Sequence, residues 1–267
     1  LRIGFFDSGI GGLTVLAEAM ARLPGADLLY FADTASVPYG DKPREVVRTC
    51  VFRAVDFLVD QGIEALVVAC NTATSVAIED LRRRHRFPII GMEPAVKPAL
   101  LGLAGAAGGP GSRVLALATD MTLREEKFRS LVERVDAEAR VDYLSLQGLV
   151  ARAEAFQFEP EATAGYLRAA TAHLDLAAYG AVVLGCTHFP YYRPQLRALF
   201  GPDTALVDGN RGTVNNLCAQ LGPRLPEPGD GSVAYFESGP KGLGPAAAPG
   251  RFRAYLDYYG RLEATGR

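Results

Sequence analysis

Ala65-Leu66-Val67-Val68-Ala69-Cys70-Asn71-Thr72-Ala73-Thr74-Ser75 is a short apolar run that ends at a cysteine and passes at once into small polar residues. An apolar run of this length suits a strand of a parallel sheet covered on both faces. In such sheets ligands bind beyond the carboxyl ends of the strands, so Cys70 falls where chemistry is expected. The pattern returns at Ala181-Val182-Val183-Leu184-Gly185-Cys186-Thr187-His188-Phe189-Pro190, with a small residue, a cysteine and a hydroxyl after the apolar run. Two matched thiols at strand ends are the central signal of the chain.

Outward from these runs, strand and helix signals alternate, which predicts an α/β fold with mainly parallel pairing. Ile3 to Phe6 reads as the first strand, Asp7 to Gly12 as a turn, Leu13 to Leu23 as a helix and Leu28 to Ala32 as a second strand. A helix over Pro43 to Gln61 carries Cys50 on its apolar stripe, and Cys50 and Cys218 are read as core. Gly102 to Gly111, rich in glycine and alanine, reads as a connection between two units. A second cycle opens with a strand at Arg113 to Ala118, a polar turn at Thr119 to Thr122 and a helix at Leu123 to Val135. The interval from Ile3 to Val114 nearly equals that from Cys70 to Cys186, which predicts two similar lobes. In the tail, Leu206 to Asp208 and Tyr235-Phe236 read as strands, Val214 to Leu221 and Phe252 to Leu262 as helices, and Pro240 to Gly250 as a mobile loop.

Composition narrows the partners. With 28 basic and 30 acidic residues among 267, a net charge of -2 gives no global attraction to nucleic acid or anionic lipid, and a small molecule is the expected partner. Four scattered cysteines are too few for a secreted disulfide scaffold of this length, which points to free thiols in a reducing cytoplasm. Leu1 to Phe6 lacks the apolar core and cleavage site of a signal peptide, and no apolar stretch reaches the roughly 18 residues of a membrane span.

If the two strand ends meet across a cleft, a substrate carbon between Cys70 and Cys186 has a thiol on each face. One thiolate removes a proton while the opposite thiol delivers one, and the stereocentre inverts without a cofactor. A free cysteine with a pKa of about 8.5 is mostly protonated at neutral pH, so each thiol needs local help. Asp7, His188 and helix N-termini following each cysteine are the candidate helpers. Amides and hydroxyls at Ser8, Asn71, Thr72 and Thr187 suit substrate carboxylates. Asp7-Ser8-Gly9 also fits a plain helix cap, and Gly9 to Gly12 lacks the Gly-Lys-Ser/Thr ending of a phosphate loop. Cys186-Thr187-His188 has no second pair at metal-ligand spacing, so no metal is expected.

Four blocks resemble the bacterial glutamate racemases, within the wider aspartate/glutamate racemase superfamily. They are Phe6-Asp7-Ser8-Gly9-Ile10-Gly11-Gly12-Leu13-Thr14-Val15, Asp33-Thr34-Ala35-Ser36-Val37-Pro38-Tyr39-Gly40, Ala69-Cys70-Asn71-Thr72-Ala73 and Leu184-Gly185-Cys186-Thr187-His188-Phe189-Pro190. The resemblance implies cofactor-independent interconversion of L- and D-glutamate for peptidoglycan, with Cys70 and Cys186 as bases. It implies that Asp7 supports Cys70, and that His188 and a glutamate, best matched by Glu154, support Cys186. The proline and cysteine usual ahead of that glutamate are replaced here by Leu146-Gln147-Gly148. Substrate positions implied are Asp7, Ser8, Pro38, Tyr39, Gly40, Asn71, Thr72, Thr187 and His188, with Thr119 and Thr122 as further contacts.

The family fold implies two lobes, 1–97 with 207–267 and 98–206, each a mainly parallel sheet flanked by helices, with the active site between them. Family members are often dimers, so a homodimer is also implied. Two other readings stay open. One is a superfamily racemase acting on aspartate or a hydantoin; the other is a two-lobed solute-binding protein, which explains the polar strand ends but not the paired thiols.

Overall fold

Strand β1 (Arg2–Asp7) runs through the middle of a six-stranded sheet, with Ile3 and Phe5 buried on one face and Phe6 on the other. Strands β2 (Asp27–Ala32) and β3 (Ala65–Val68) lie parallel on either side of it, and β4 (Ile89–Gly91) adds to β3. The structure, a computed structural model, describes residues 1–103, 111–136 and 138–265. A second sheet holds β5 (Arg113–Ala118), β6 (Val141–Ser145), β7 (Tyr179–Leu184) and β8 (Ala205–Val207), all parallel. Its spatial order is β6-β5-β7-β8, and the first sheet contains the same order as β2-β1-β3-β4. The lobes therefore repeat one four-stranded motif, and each cysteine follows the third strand of its repeat.

Burial explains the uniformly apolar strands. Outside the first sheet, Val47, Val51 and Leu58 of helix Arg44–Asp60 and Val76 and Leu81 of helix Asn71–Arg84 pack on Phe6, Phe31 and Val68. Helices Val96–Leu103 and Glu126–Val135 cover the outer face of the second sheet in the same way. A third cluster contains Phe5 and Val67 of one sheet together with Leu115 and Leu184 of the other, so apolar burial is continuous between the lobes.

Three expectations need correction or qualification. Pro240 to Gly250 is not a loop throughout: β9 (Val233–Gly239) pairs parallel with β2, and β10 (Gly242–Pro245) folds back antiparallel on β9. Gly242 takes φ +98 at that reversal, a conformation suited to glycine, and the pairing edge comes from β2, remote in sequence. The stretch read as one helix from Leu123 is a short helix, Asp120–Arg124, followed by Glu126–Val135, because Glu125 between them is extended. The connector at Gly102 to Gly111 lies mostly outside the described residues. Among the described residues no helix is long and apolar enough to cross a membrane.

Candidate active site

Cys70 stands at the second position beyond β3 and is the N-cap of helix Asn71–Arg84, with its Sγ accepting the Ala73 N–H at 3.4 Å. Ser8 Oγ is 3.7 Å from the same sulfur. Burial, then the nearby Asp7 charge, pushes the Cys70 thiol up to about 12, against the pull of the Ala73 and Ser8 hydrogen bonds.

Cys186 is equipped differently. No α-helix begins directly after it, which corrects the expectation of matched helix N-termini: Phe189–Tyr192 is a single 3-10 turn, and the α-helix starts only at Arg193. Proline at 190 and 194 shapes that delayed start, since proline contributes no N–H donor. In place of a helix end, His188 brings Nδ1 to 3.6 Å from Cys186 Sγ. The other ring nitrogen, Nε2, lies 2.8 Å from Glu154 Oε1, which also accepts the Ile10 N–H at 2.9 Å. Burial opposes the charge on His188, yet its contacts with Cys186 and Glu154 prevail and raise its pKa well above the ordinary histidine value. Burial likewise works against Glu154, but His188, the Ile10 N–H and Arg251 outweigh it and hold the carboxyl below its usual value.

Asp7, fully buried, accepts the Gly9 N–H at 3.0 Å and the Thr187 hydroxyl at 3.0 Å, so its hydrogen bonds run to its own loop and to the opposite lobe. Burial raises its pKa to about 6, opposed by His188 and by these two hydrogen bonds. The glycines that follow make room for this meeting of lobes. A Cβ on Gly9 collides with the Glu154 carboxylate, and one on Gly11 with Thr187 and His188. The loop is a close-approach surface, which accounts for its glycines.

One narrow pocket gathers most of the expected residues. Ser8, Pro38, Tyr39 and Gly40 form one wall, Cys70, Asn71 and Thr72 another, and Thr119, Cys186, Thr187 and His188 face them. Asp7, Thr122 and Glu154 are not in that lining and stand behind it. Thr122 closes a triangle of hydroxyls with Thr72 at 3.1 Å and Thr119 at 2.9 Å, and Thr72 meets Thr119 at 3.0 Å. Tyr39 donates its hydroxyl to Asp33 at 2.7 Å, which fixes the wall it belongs to.

Two lining residues, Gln147 and Val150, escaped the sequence reading. Both amide atoms of Gln147 are buried without a hydrogen-bond partner, as is Asn71 Oδ1. Buried polar groups are normally satisfied, so these amides mark where a polar ligand fits. The departure at Leu146-Gln147-Gly148 was the only signal of Gln147 in the sequence. Among the described residues no group of three or more His, Cys, Asp or Glu side chains is placed to hold a metal ion.

The sequence profile described as Asp/Glu/Hydantoin racemase matches residues 14–217. A glutamate racemase of Halothermothrix orenii is 49% identical over 260 residues, 96% of this chain and 98% of the relative. Glutamate racemase 2 of Bacillus subtilis is 48% identical over 242 residues, 90% of each chain. Among solved structures, Escherichia coli glutamate racemase in complex with L-glutamate and activator UDP-MurNAc-ala superposes with a TM-score of 0.80. It is 26% identical, and the match covers 97% of this chain and 94% of that one.

Proposed function

The chain belongs to the Asp/Glu/hydantoin racemase family, and from that premise we propose that it interconverts L- and D-glutamate by proton transfer between two cysteines. The observation that carries this reading is the placing of Cys70 and Cys186 on one small cavity, each with its own proton-handling partners. Glutamate as substrate, over aspartate or a hydantoin, rests on relatives that are glutamate racemases across nearly their full length.

In this mechanism the α-carbon sits between the sulfurs. One sulfur, as thiolate, takes the α-proton; the electron pair left on carbon spreads into the α-carboxylate; the other, as thiol, returns a proton to the opposite face. The two sulfurs have then exchanged protonation states, and the reverse reaction starts from the exchanged form. His188, held by Glu154, gives or takes the proton at Cys186, while Ser8 and the helix N-terminus serve Cys70. Asp7 positions Thr187 and the Gly9 loop. The Thr72 and Thr119 hydroxyls, oriented by Thr122 behind them, receive the substrate carboxylates together with Asn71 and the Pro38-Tyr39-Gly40 wall, and donors on the α-carboxylate stabilise the carbanion. The lobes divide as 1–95 with 208–267 and 96–207, shifted slightly from cuts at 97/98 and 206/207 because helix Val96–Leu103 and β8 (Ala205–Val207) each pack whole with the second sheet. The wider reading is D-glutamate supply for peptidoglycan, in the cytoplasm, by an enzyme able to form a homodimer.

Circular dichroism of L-glutamate incubated with the protein in deuterated buffer, without pyridoxal phosphate, is expected to decay as deuterium enters the α-carbon. An undiminished signal for glutamate beside a decaying one for aspartate or a hydantoin reassigns the substrate; no reaction with any of them overturns the enzymatic reading.

Gln147 supplies a second prediction. A hydrogen bond to a charged group contributes about 1.5–3 kcal/mol, so Gln147→Leu is expected to raise KM for glutamate about 10- to 100-fold while kcat changes far less. Steady-state kinetics in both directions check this, and an unchanged KM removes Gln147 from the substrate contacts.

A further inference from the structure

We propose that Arg251, in the closing helix Pro249–Ala264, is a positioning residue for the Cys186 side of the site, gripping the Glu154 carboxylate that orients His188. The inference rests on the racemase reading of that site. Arg251 Nη2 donates to the Glu154 main-chain carbonyl at 3.0 Å and to its Oε2 at 3.1 Å. The other carboxylate oxygen is the one shared by His188 Nε2 and the Ile10 N–H, and His188 Nδ1 faces Cys186. A polar relay thus runs from the tail of the chain to the reacting sulfur.

The placement of Arg251 argues that this contact shapes the helix start. Arg251 stands in the first turn of its own helix, the positive end of the dipole, with no acidic residue in that turn to offset it. It also stands at the C-terminal end of helix Gly148–Glu154, where a cation is favoured and the last carbonyls need donors. Tyr255 completes the cap, its hydroxyl donating to Ala153 O at 2.7 Å and Glu154 O at 2.9 Å.

The element that presents Arg251 is firmly seated. Phe252 and Tyr255 are buried, and the Phe252 ring stacks on Tyr235 and meets Tyr30 edge-on. The arginine side chain itself is 38% exposed against 12% for Glu154. An ion pair with one exposed partner adds little to fold stability, so its effect lies in the charge and direction of the buried carboxylate. The ionisable groups acting on His188 are Cys186, Glu154 and, across the loop, Asp7, with Arg251 reaching it through Glu154. Loss of Arg251 frees Glu154 to turn away from the imidazole and lets it lose charge.

Arg251→Gln and Arg251→Lys, beside the parent protein and Glu154→Gln, provide the test. The chain has three histidines, so the His188 imidazole signals can be assigned by NMR and titrated without substrate. Arg251→Gln is expected to move the His188 midpoint to lower pH, in the direction of Glu154→Gln, and to lower kcat about 10-fold with KM changed less than about 2-fold. Arg251→Lys, which keeps the charge on a shorter side chain without the planar guanidinium, is expected to fall between the two. An unmoved midpoint with unchanged kcat overturns the inference, as does a fall in melting temperature alone. Should the parent protein fail to racemise glutamate, the function falls, while the titration still decides whether Arg251 governs His188.

Discussion

Cys70→Ala and Cys186→Ala are each expected to lower the racemisation of glutamate by about 10³-fold or more, the scale on which a positioned acid or base contributes, with the fold retained. Both sulfurs are buried, at 5% and 7% exposure, in contact with the cavity, and cysteine to alanine removes only a small group there. The two variants differ in what survives. With a single base left, one enantiomer can still lose its α-proton and regain a deuteron on the same face, so exchange continues without inversion. One variant is therefore expected to label only L-glutamate and the other only D-glutamate, followed by proton NMR of the α position. Racemisation persisting in either variant contradicts the two-base mechanism, and identical labelling by both contradicts the assignment of one sulfur to each face.

Asp7→Asn is expected to stabilise the protein while disabling it. Asp7 binds its proton more tightly when folded, at about 6, than at the ordinary value of 3.8. Its contribution to stability is therefore fully present below about pH 4 and is lost as pH rises through about 6. Two units correspond to about 3 kcal/mol, an upper bound on what the neutral amide recovers at pH 8. Thermal melts are expected to show the variant several degrees above the parent at pH 8, with the gap closing toward pH 4. Racemisation is expected to drop about 100-fold, because an amide cannot hold Thr187 and the Gly9 loop with the same charge. A variant no more stable than the parent at pH 8 removes the argument that burial strains this carboxylate.

Much of the fold was readable because it rests on local pattern. The apolar runs ending at Cys70 and Cys186 carry their own strand signal, and the repeat of strand, polar turn and later cysteine encodes the two lobes that share one strand order. Of the Val233–Gly239 and Gly242–Pro245 hairpin, the first strand is legible at Tyr235-Phe236, whereas the second, rich in glycine and proline, looks like a loop until β9 offers it an edge. The delayed helix after Cys186 was hidden for a related reason: the cysteine contexts match in sequence, while Pro190 and Pro194 change the backbone beyond one of them. Gln147 is marked only by a departure from the family pattern, and Arg251 lies outside every motif. Their placement follows from contacts far apart along the chain, Arg251 with Glu154 most clearly, and no periodicity records such a contact.

The unequal equipment of the two thiols, a helix N-cap for Cys70 and a His188–Glu154 pair for Cys186, has a thermodynamic boundary. Mirror-image amino acids have the same free energy in water, so kcat/KM for the two directions must be equal however lopsided the catalyst. Asymmetry in the protein cannot favour one product. It can only set which protonation form the enzyme rests in, and hence which enantiomer saturates it first and which turns over faster once bound. A catalyst with two different hands thus reaches an even mixture from either side, and its handedness is legible in kcat and KM taken separately.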